Sequence, residues 1–321
     1  MDTLDEGLVR AGIGRVLPAG AVLCLALLLS LALAACAPKA GPAVAPAPAA
    51  REAAHARVED LVAESGAEVA IAFRTLDGRE EWLVRADDPF HAASTMKVPV
   101  MIELFRRADA GEVSLDQPVT VVNDFKSLAD GSPFSLPPDS DSDTDLYKAV
   151  GQTRTYRDLC DLMIGVSSNL ATNNLIGLLG VDRIRATTEA LGASGMNVRR
   201  GVEDGAAFRA GLNNTTTARA LLVLLEAIAS NRAASPDSCR RMMEVLERQH
   251  FNDGIPAGLP PGTPVAHKTG SITGIQHDAA VVLGDRPYVL VVLVRGIADE
   301  KQGNALIADI ARALHAAAVA Q

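Results

Sequence analysis

Apolar residues recur at helical spacing from Arg51 to Glu64, and this pattern predicts a helix at the start of the folded part of the chain. The next two apolar segments, Ala67–Thr75 and Glu81–Arg85, are instead typical of strands. The pair Asp77-Gly78 lies between them and favours a tight turn, because glycine accepts the positive φ that such turns require. The chain after residue 50 is therefore expected to begin with a helix and a β-hairpin.

A second hairpin is predicted near the other end of the chain. There, His277–Leu283 and Pro287–Arg295 flank the turn-forming pair Gly284-Asp285, and the alanine-rich segment Ile307–Ala318 predicts a closing helix. The long stretch from about residue 94 to residue 229 is dominated by helical periodicity and polar loops.

Strands at both chain ends with helices between them favour an α+β fold. We expect three layers, α/β/α, with one antiparallel sheet assembled from both ends of the chain and an inserted all-helical subdomain. The α/β part is predicted to comprise residues 51–93 and 230–321, and the helical part residues 94–229. A cleft between two such parts is the natural position for a ligand site.

The first 36 residues are typical of an export signal rather than of the folded domain. Arg10 and Arg15 precede an uncharged apolar run that starts at Val16 and ends in Leu33-Ala34-Ala35-Cys36. This ending resembles a bacterial lipobox. It implies a lipoprotein signal peptide at residues 1–35 and a lipid on Cys36 that anchors the protein to a membrane, facing the periplasm or the cell exterior. The alternatives are a plain transmembrane anchor and an ordinary signal peptide in which Cys36 is incidental.

The composition narrows the organisation and the classes of partner. Residues 36–50 are rich in proline and alanine, which predicts an extended tether. A formal net charge of −9 and an aromatic content of 3% provide neither a basic surface nor a stacking platform for nucleic acid. With Cys24 in the signal and Cys36 lipidated, Cys160 and Cys239 remain in the folded part. We expect both to be free and buried, with a single disulfide as the alternative.

The sequence Ser94-Thr95-Met96-Lys97 stands at the start of the amphipathic segment Val98–Arg107. Because residues i and i+3 share a helix face, an amine at Lys97 with a pKa lowered by burial could take the proton of the Ser94 hydroxyl and make it a nucleophile. Backbone N–H groups at a helix start can also stabilise an oxyanion. Taken alone, the segment is more simply explained by an N-cap serine beside a solvated lysine.

Two further motifs change this interpretation. Ser167-Ser168-Asn169 lies at the junction of an apolar run and the next helix, and Lys268-Thr269-Gly270 lies on a predicted edge-like strand. The patterns S-x-x-K, S-x-N and K-T-G each occur once in the chain. In this order and at this spacing they resemble the motifs of class A β-lactamases and related penicillin-binding proteins. The resemblance covers about residues 51–321 and implies a catalytic domain with a β-lactamase/transpeptidase-like fold.

The resemblance implies the chemistry of four residues. Ser94 would attack a carbonyl carbon, with Lys97 as base or proton relay. Ser167 would pass a proton to the leaving nitrogen. The backbone N–H groups of Ser94 and Ser271 would form the oxyanion hole.

The resemblance also implies which residues bind the substrate, a small β-lactam or a peptidoglycan peptide. Asn169 would hold the side-chain amide of the substrate, and Lys268 with Thr269 would bind its carboxylate. Gly270 and Ser271 continue this binding strand. No metal or organic cofactor is implied.

The region that would release the acyl-enzyme departs from the family pattern. In class A enzymes a glutamate on an Ω-shaped loop activates the deacylating water, and Glu203 stands 36 residues after Ser167, at the corresponding spacing. However, the usual R-x-E spacing is missing, and Ala207 replaces an asparagine that normally helps to hold the water. Glu203 is therefore interpreted either as the catalytic base or as a partner of Arg199 or Arg200 that pins the loop.

Three functional hypotheses follow from these motifs. The first is a class A-like β-lactam hydrolase. The second, which uses the same acylation machinery, is a D,D-peptidase or transpeptidase that acts on cell-wall peptides and releases penicillin slowly. The third is a non-catalytic β-lactam or peptidoglycan sensing domain, and the presence of both Ser94 and Lys97 argues against it.

Three further patterns are given structural interpretations. Ser168 stands where class A enzymes usually carry aspartate, which is expected to affect scaffolding more than chemistry. The aspartate run of residues 139–145 lacks the central glycine and closing glutamate of a calcium loop, so a solvated loop is expected. His267 and His277 show no metal-ligand spacing and are expected to pack or form hydrogen bonds.

Overall fold

The structure is a computed structural model that describes residues 48–319. The predicted signal peptide, Cys36 and most of the tether lie outside these residues. No helix between residues 48 and 319 combines the length and the apolar character that crossing a bilayer requires.

The described chain contains helices and strands in the following order. The helices are α1 (Pro48–Ser65), α2 (Lys97–Asp109), α3 (Tyr156–Gly165), α4 (Asn169–Leu179), α5 (Val181–Ala190), α6 (Gly205–Arg209), α7 (Ala218–Ala229), α8 (Pro236–Glu247) and α9 (Glu300–Val319). The strands are β1 (Glu68–Thr75), β2 (Glu81–Val84), β3 (Phe90–His91), β4 (Pro118–Thr120), β5 (Phe125–Lys126), β6 (Pro133–Phe134), β7 (Thr153–Thr155), β8 (Thr215–Thr216), β9 (Val265–Ile272), β10 (Ile275–Val282) and β11 (Tyr288–Arg295).

Five strands form the main sheet, in the order β2-β1-β11-β10-β9, and every neighbouring pair is antiparallel. The pairing of β1 with β11 places Glu68 opposite Arg295 and Thr75 opposite Tyr288, so strands from the two chain ends lie side by side. Both predicted hairpins and the predicted sheet are confirmed. The third sequence motif lies on β9, which is an edge strand, as expected.

Helices cover both faces of this sheet. Helices α1 and α9 pack on one face, while α7 and α8 pack on the other, which confirms the α/β/α arrangement. The central strand β11 is buried along its length up to Arg295. This explains why its sequence is a continuous apolar run rather than an alternation of apolar and polar residues.

Two predicted boundaries differ from the structure. Helix α7 packs against β1, β10 and β11, so the change back to the α/β part lies before α7 and not at residue 230. Helix α1 already begins at Pro48, inside the predicted tether of residues 36–50. Proline is tolerated in the first turn because its missing N–H would have no partner within the helix.

The two cysteines of the folded part, Cys160 on α3 and Cys239 on α8, are both buried and free. The expectation is confirmed, and the alternative of a disulfide between them is wrong. As small side chains in the main apolar cluster, they contribute to packing.

Candidate active site

Ser94 lies in a turn of 3₁₀-helix, Ala93–Met96, that leads directly into α2. Ala93 has a φ of 45°, a conformation that residues with a Cβ rarely adopt, so the backbone that enters Ser94 is strained. The N-cap of α2 is Met96, which makes no side-chain capping bond, and Lys97 is fully buried. The simpler explanation of this segment, a capping serine beside a solvated lysine, is therefore wrong.

The side chain of Lys97 reaches the second motif. Its Nζ lies 2.7 Å from the backbone oxygen of Ser167, 3.1 Å from Ser167 Oγ and 2.9 Å from Asn169 Oδ1. Burial lowers the pKa of Lys97 to about 7, although the charge of Asp141 acts in the opposite direction. The amine is thus available in its neutral form near pH 7, as a general base requires. In the part of the chain that the structure describes, Lys97 makes no hydrogen bond to the Ser94 hydroxyl.

The second motif forms the connection between α3 and α4. Ser167 has a φ of 60°, so this residue is also held in a left-handed conformation that only its surroundings can maintain. Ser168 is the N-cap of α4, and its Oγ accepts a hydrogen bond from the backbone N–H of Ala171 at 3.2 Å. The departure from the family pattern at this position is therefore a capping serine with a scaffolding role.

The aspartate run does not form a fully solvated loop, which corrects the expectation for Asp141. Its Oδ1 accepts the backbone N–H of Asn169 at 2.9 Å, and its Oδ2 accepts that of Leu170 at 2.8 Å. The hydroxyl of Tyr147 donates to the same Oδ2 at 3.1 Å. The first turn of α4 is thus bound by a side chain from a separate loop.

The third motif brings a second buried amine to the same place. Lys268 is fully buried and donates from Nζ to Ser167 Oγ at 3.0 Å and to the backbone oxygen of Thr269 at 2.9 Å. Burial and the nearby charge of Lys97 hold the pKa of Lys268 well below its ordinary value. A Cβ at Gly270 would lie 3.1 Å from Ser94 N, so glycine allows β9 to approach the backbone of Ser94 closely.

His277 supports the segment that leads into Ser94. Its Nε2 lies 2.9 Å from the backbone oxygen of His91, and its Nδ1 lies 3.2 Å from the backbone nitrogen of Val294. Nδ1 also lies 2.7 Å from the backbone oxygen of Gln276, and because a neutral ring carries one N–H it donates to only one of the two carbonyl oxygens. Burial lowers the pKa of His277 to about 4, which keeps the ring neutral at ordinary pH.

His267 lies beside Lys268 on β9 and pairs with Asp278 on β10. His267 Nδ1 is 2.9 Å from Asp278 Oδ1, and both side chains are only 1% exposed. Both histidines thus form hydrogen bonds within the fold, as predicted. Within residues 48–319, no group of three or more His, Cys, Asp or Glu side chains is arranged to hold a metal ion.

Residues 199–214 form the loop that carries Glu203, and Asn214 closes its base. The Oδ1 of Asn214 accepts backbone N–H groups from Arg199 at 2.7 Å and from Arg200 at 3.1 Å. The guanidinium of Arg200 donates to the backbone oxygen of Gly201 at 3.0 Å, and neither arginine forms an ion pair with Glu203 in the described part of the chain. The interpretation of Glu203 as the partner of one of these arginines is therefore wrong.

The residues on both sides of Glu203 are fixed by buried side chains. Asn173 on α4 accepts the N–H of Val202 at 2.7 Å and donates to its carbonyl oxygen at 2.9 Å. Asp204 is buried, and its Oδ1 accepts the hydroxyl of Ser127 at 2.7 Å. Glu203 itself is exposed and has a φ of 61°. The loop therefore presents this carboxylate between two firmly bound neighbours.

Two cavities adjoin Ser94, which is half-buried between them. The first, of about 260 Å³, is lined by the second and third motifs, including Ser167, Thr269 and Gly270. The second, of about 310 Å³, is lined by Glu203 and neighbouring residues of its loop. The side chains or backbone of Ser94, Asn169 and Ser271 line both cavities.

The structure thus brings together the residues that the three motifs predict, with the amines of Lys97 and Lys268 buried at the Ser167 hydroxyl. Sequence reasoning missed the supporting residues Asp141, Asn173 and Asp204, because each binds a group that lies far away in sequence. One backbone signal marks the site independently. Five non-glycine residues of the described chain have a positive φ, and three of these border the site, namely Ala93, Ser167 and Glu203.

This fold and this site define the class of β-lactamase and penicillin-binding serine hydrolases. The sequence profile of the β-lactamase enzyme family matches residues 53–318, and the chain belongs to that family.

Relatives and solved structures agree with this assignment. The chain is 30% identical over 267 residues to β-lactamase AST-1 of Nocardia asteroides, covering 81% of this chain and 82% of that protein. The β-lactamase from Sphaerobacter thermophilus DSM 20745 has a TM-score of 0.71 and 28% identity, covering 83% of this chain and 97% of that chain. PBP-A has a TM-score of 0.71 and 25% identity to this chain, covering 86% of this chain and 98% of that chain. A variant of PBP-A has been solved as an acyl-enzyme complex with penicillin G.

Proposed function

We propose that this protein hydrolyses β-lactams through an acyl-enzyme on Ser94. The observation that carries the proposal is the convergence of two buried amines, Lys97 and Lys268, on the hydroxyl of Ser167 beside the cavity that Ser94 lines. The relatives that cover most of this chain bear the name β-lactamase, which supports the choice of substrate class.

In the acylation step, Ser94 Oγ attacks the lactam carbonyl carbon while the neutral amine of Lys97 takes the hydroxyl proton. The lactam C–N bond breaks, and Ser167 gives its hydroxyl proton to the leaving nitrogen. Lys97, whose Nζ lies 3.1 Å from Ser167 Oγ, then returns a proton to Ser167. The contact between Lys97 and Ser94 forms when substrate binds, because catalytic hydrogen bonds are commonly looser in the free enzyme.

The binding groups stand around the reacting carbonyl. Asn169 lines both cavities and can hold an amide of the substrate, while Thr269 lines the first cavity next to the buried amine of Lys268. An incoming carboxylate favours the charged form of Lys268, because an opposite charge raises the pKa of an amine. The oxyanion would be bound by the backbone N–H groups of Ser94 and Ser271.

In the deacylation step, a water molecule attacks the ester carbonyl while Glu203 takes one of its protons. The ester C–O bond breaks, and Glu203 returns the proton to the oxygen of Ser94, which restores the free enzyme. The position of Glu203 in the second cavity, with Ser94 in the same lining, supports this role. Ala207 is fully buried and offers no polar side chain to the water.

The test is turnover of a chromogenic cephalosporin by the mature protein purified in detergent. We expect continuous hydrolysis and a covalent adduct on Ser94 by mass spectrometry. Ser94→Ala should abolish both, whereas Ser230→Ala, at an exposed serine after α7, should change neither.

Two results would reject the proposal. A stoichiometric burst without turnover would replace hydrolysis by the D,D-peptidase hypothesis, since acylation would then occur without release. Absence of both adduct and turnover would leave only a sensing domain.

We also propose that the enzyme is held at a membrane by a lipid on Cys36, with residues 37–47 as spacer. The apolar run that ends in Leu33-Ala34-Ala35-Cys36 supports this proposal. Metabolic labelling with a radioactive fatty acid should mark the wild-type protein and not the Cys36→Ala variant. Equal labelling of both proteins would show that the lipid is attached elsewhere. Labelling of neither would show that it is absent.

A further inference from the structure

Helix α4 begins at Asn169, the last residue of the second motif, and its first backbone N–H groups have no acceptor within the helix. Ser168 Oγ satisfies the N–H of Ala171. The N–H groups of Asn169 and Leu170 are both satisfied by Asp141, at 2.9 and 2.8 Å. One carboxylate from outside the motif therefore completes the helix start.

The loop of Asp141 also binds the motif on its other side. Ser142 Oγ donates to the backbone oxygen of Val166 at 2.5 Å. Ser167 lies between these two points of attachment, and its strained φ of 60° persists only where the surroundings enforce it. Tyr147 donates to Asp141 and fixes the orientation of the carboxylate.

The charge of Asp141 suits both its neighbours. An anion is stabilised at a helix N-terminus, and Asp141 is the group that raises the pKa of Lys97 against the effect of burial. The other ionisable groups that line the site come from several elements. They include the amine of Lys268 on β9, the carboxylates of Asp253 and Glu300 in the first cavity, and Arg200, Glu203, Asp204 and Arg209 on the loop that lines the second cavity.

We propose that Asp141 is a positioning residue for acylation. Position 168 is a serine where class A enzymes usually carry aspartate, and the carboxylate of Asp141 takes that place from a separate loop. Asp141 thereby holds Ser167 and Asn169 in the positions where Lys97 contacts them. This inference rests on the proposed acylation of Ser94 and adds a residue to it.

The first test is the rate of acylation by a chromogenic cephalosporin between pH 5 and 9, measured by stopped flow on the mature protein. Asp141→Asn keeps the shape but offers one acceptor oxygen for two N–H groups, so we expect a fall of about 10- to 100-fold. The midpoint of the pH profile should move to lower pH, because the charge that raises the pKa of Lys97 is removed. Asp145→Asn is the matched control, since Asp145 is exposed and its carboxylate accepts a hydrogen bond from Lys148. Its acylation rate and the midpoint of its pH profile should stay unchanged.

The second test moves the carboxylate back into the motif. In the double variant Asp141→Asn with Ser168→Asp, aspartate at the N-cap should recover most of the lost rate. Ser168→Asp alone should be slower than wild type, because Ser168 Oγ lies 3.5 Å from Asp141 Oδ2 and two carboxylates there would repel each other.

The inference is overturned if Asp141→Asn acylates like the wild type, or if the double variant stays slow or unfolds. Failure of the proposed function has a different signature, in which the wild-type protein itself forms no adduct on Ser94.

Discussion

The Nζ of Lys97 lies 3.1 Å from the Oγ of Ser167, and both groups belong to a network that is closed to solvent on the side of Lys97. The amine can therefore exchange protons with the second motif without a water molecule between them. The pKa of Lys97, about 7, should therefore set the pH dependence of the acylation rate.

Acylation should depend on pH through Lys97. Below pH 7 the amine is protonated and cannot accept the proton of Ser94, so the rate should rise about tenfold per pH unit and level off above pH 7. Lys97→Arg stays protonated at all these pH values, so its rate should lie at least about 100-fold lower and show no such rise. Stopped-flow acylation from pH 5 to 9 measures both, and a flat wild-type profile would contradict the role of Lys97.

Glu203→Gln should separate the two halves of the reaction. Acylation should stay within about threefold of wild type, while deacylation should slow by about 100-fold or more because the amide cannot take a proton from water. Mass spectrometry should then detect an acyl-enzyme that persists. Glu247→Gln, at an exposed glutamate on α8, is the control. Unchanged hydrolysis by E203Q would show that another group activates the water.

Asn173→Ala should loosen the loop beside Glu203. Removal of both hydrogen bonds to Val202 should lower the free energy of unfolding by about 1–3 kcal/mol and slow deacylation more than acylation. The adjacent Asn174 makes the same pair of bonds to Val122 instead, at 2.9 Å each. Asn174→Ala should cost similar stability and leave the ratio of the two rates unchanged. Denaturant unfolding and single-turnover kinetics test both, and equal kinetic effects would contradict the assignment.

Gly270→Ala should slow acylation because the added Cβ crowds the backbone of Ser94. The added Cβ would lie 3.1 Å from Ser94 N and 3.1 Å from Ala93 Cβ, closer than normal packing, so the strained turn must shift. We expect acylation to fall by about tenfold or more. Gly177→Ala on α4 meets nothing within 4 Å and should leave activity intact. If Gly270→Ala acylated at the wild-type rate, β9 and the turn that carries Ser94 would have to move apart without cost to acylation.

His277 should make the fold sensitive to acid. Its pKa is about 4 in the folded state and near 6.5 when unfolded, so between these values the unfolded chain binds the extra proton. Stability should therefore fall by up to about 3 kcal/mol as the pH drops from 6.5 to 4. The slope of unfolding free energy against pH should flatten in His277→Gln. It should persist in His250→Gln, which changes an exposed histidine. Unfolding free energies at a series of pH values decide this, and equal slopes in all three proteins would refute it.

The sequence allowed prediction of those features that are encoded locally. The hairpin at Asp77-Gly78 and the residues Ser94, Ser167 and Lys268 stand in short patterns whose geometry depends on near neighbours. The amphipathic pattern of α7 identifies a helix but not its partner, which is why its packing on the sheet was missed.

The supporting side chains depend on contacts across the fold. Asp141 looks like one of several aspartates in a polar run, and only the arrival of α4 gives it backbone N–H groups to bind. The same holds for Asn173 and Val202, which are 29 residues apart.

The pairing of β1 with β11 has a consequence for biosynthesis. Glu68 and Arg295 are 227 residues apart, so the central strands of the sheet cannot pair until the chain has been synthesised through β11. A product terminated before β11 would lack the strand that joins β1 to β10, so the main sheet could not close.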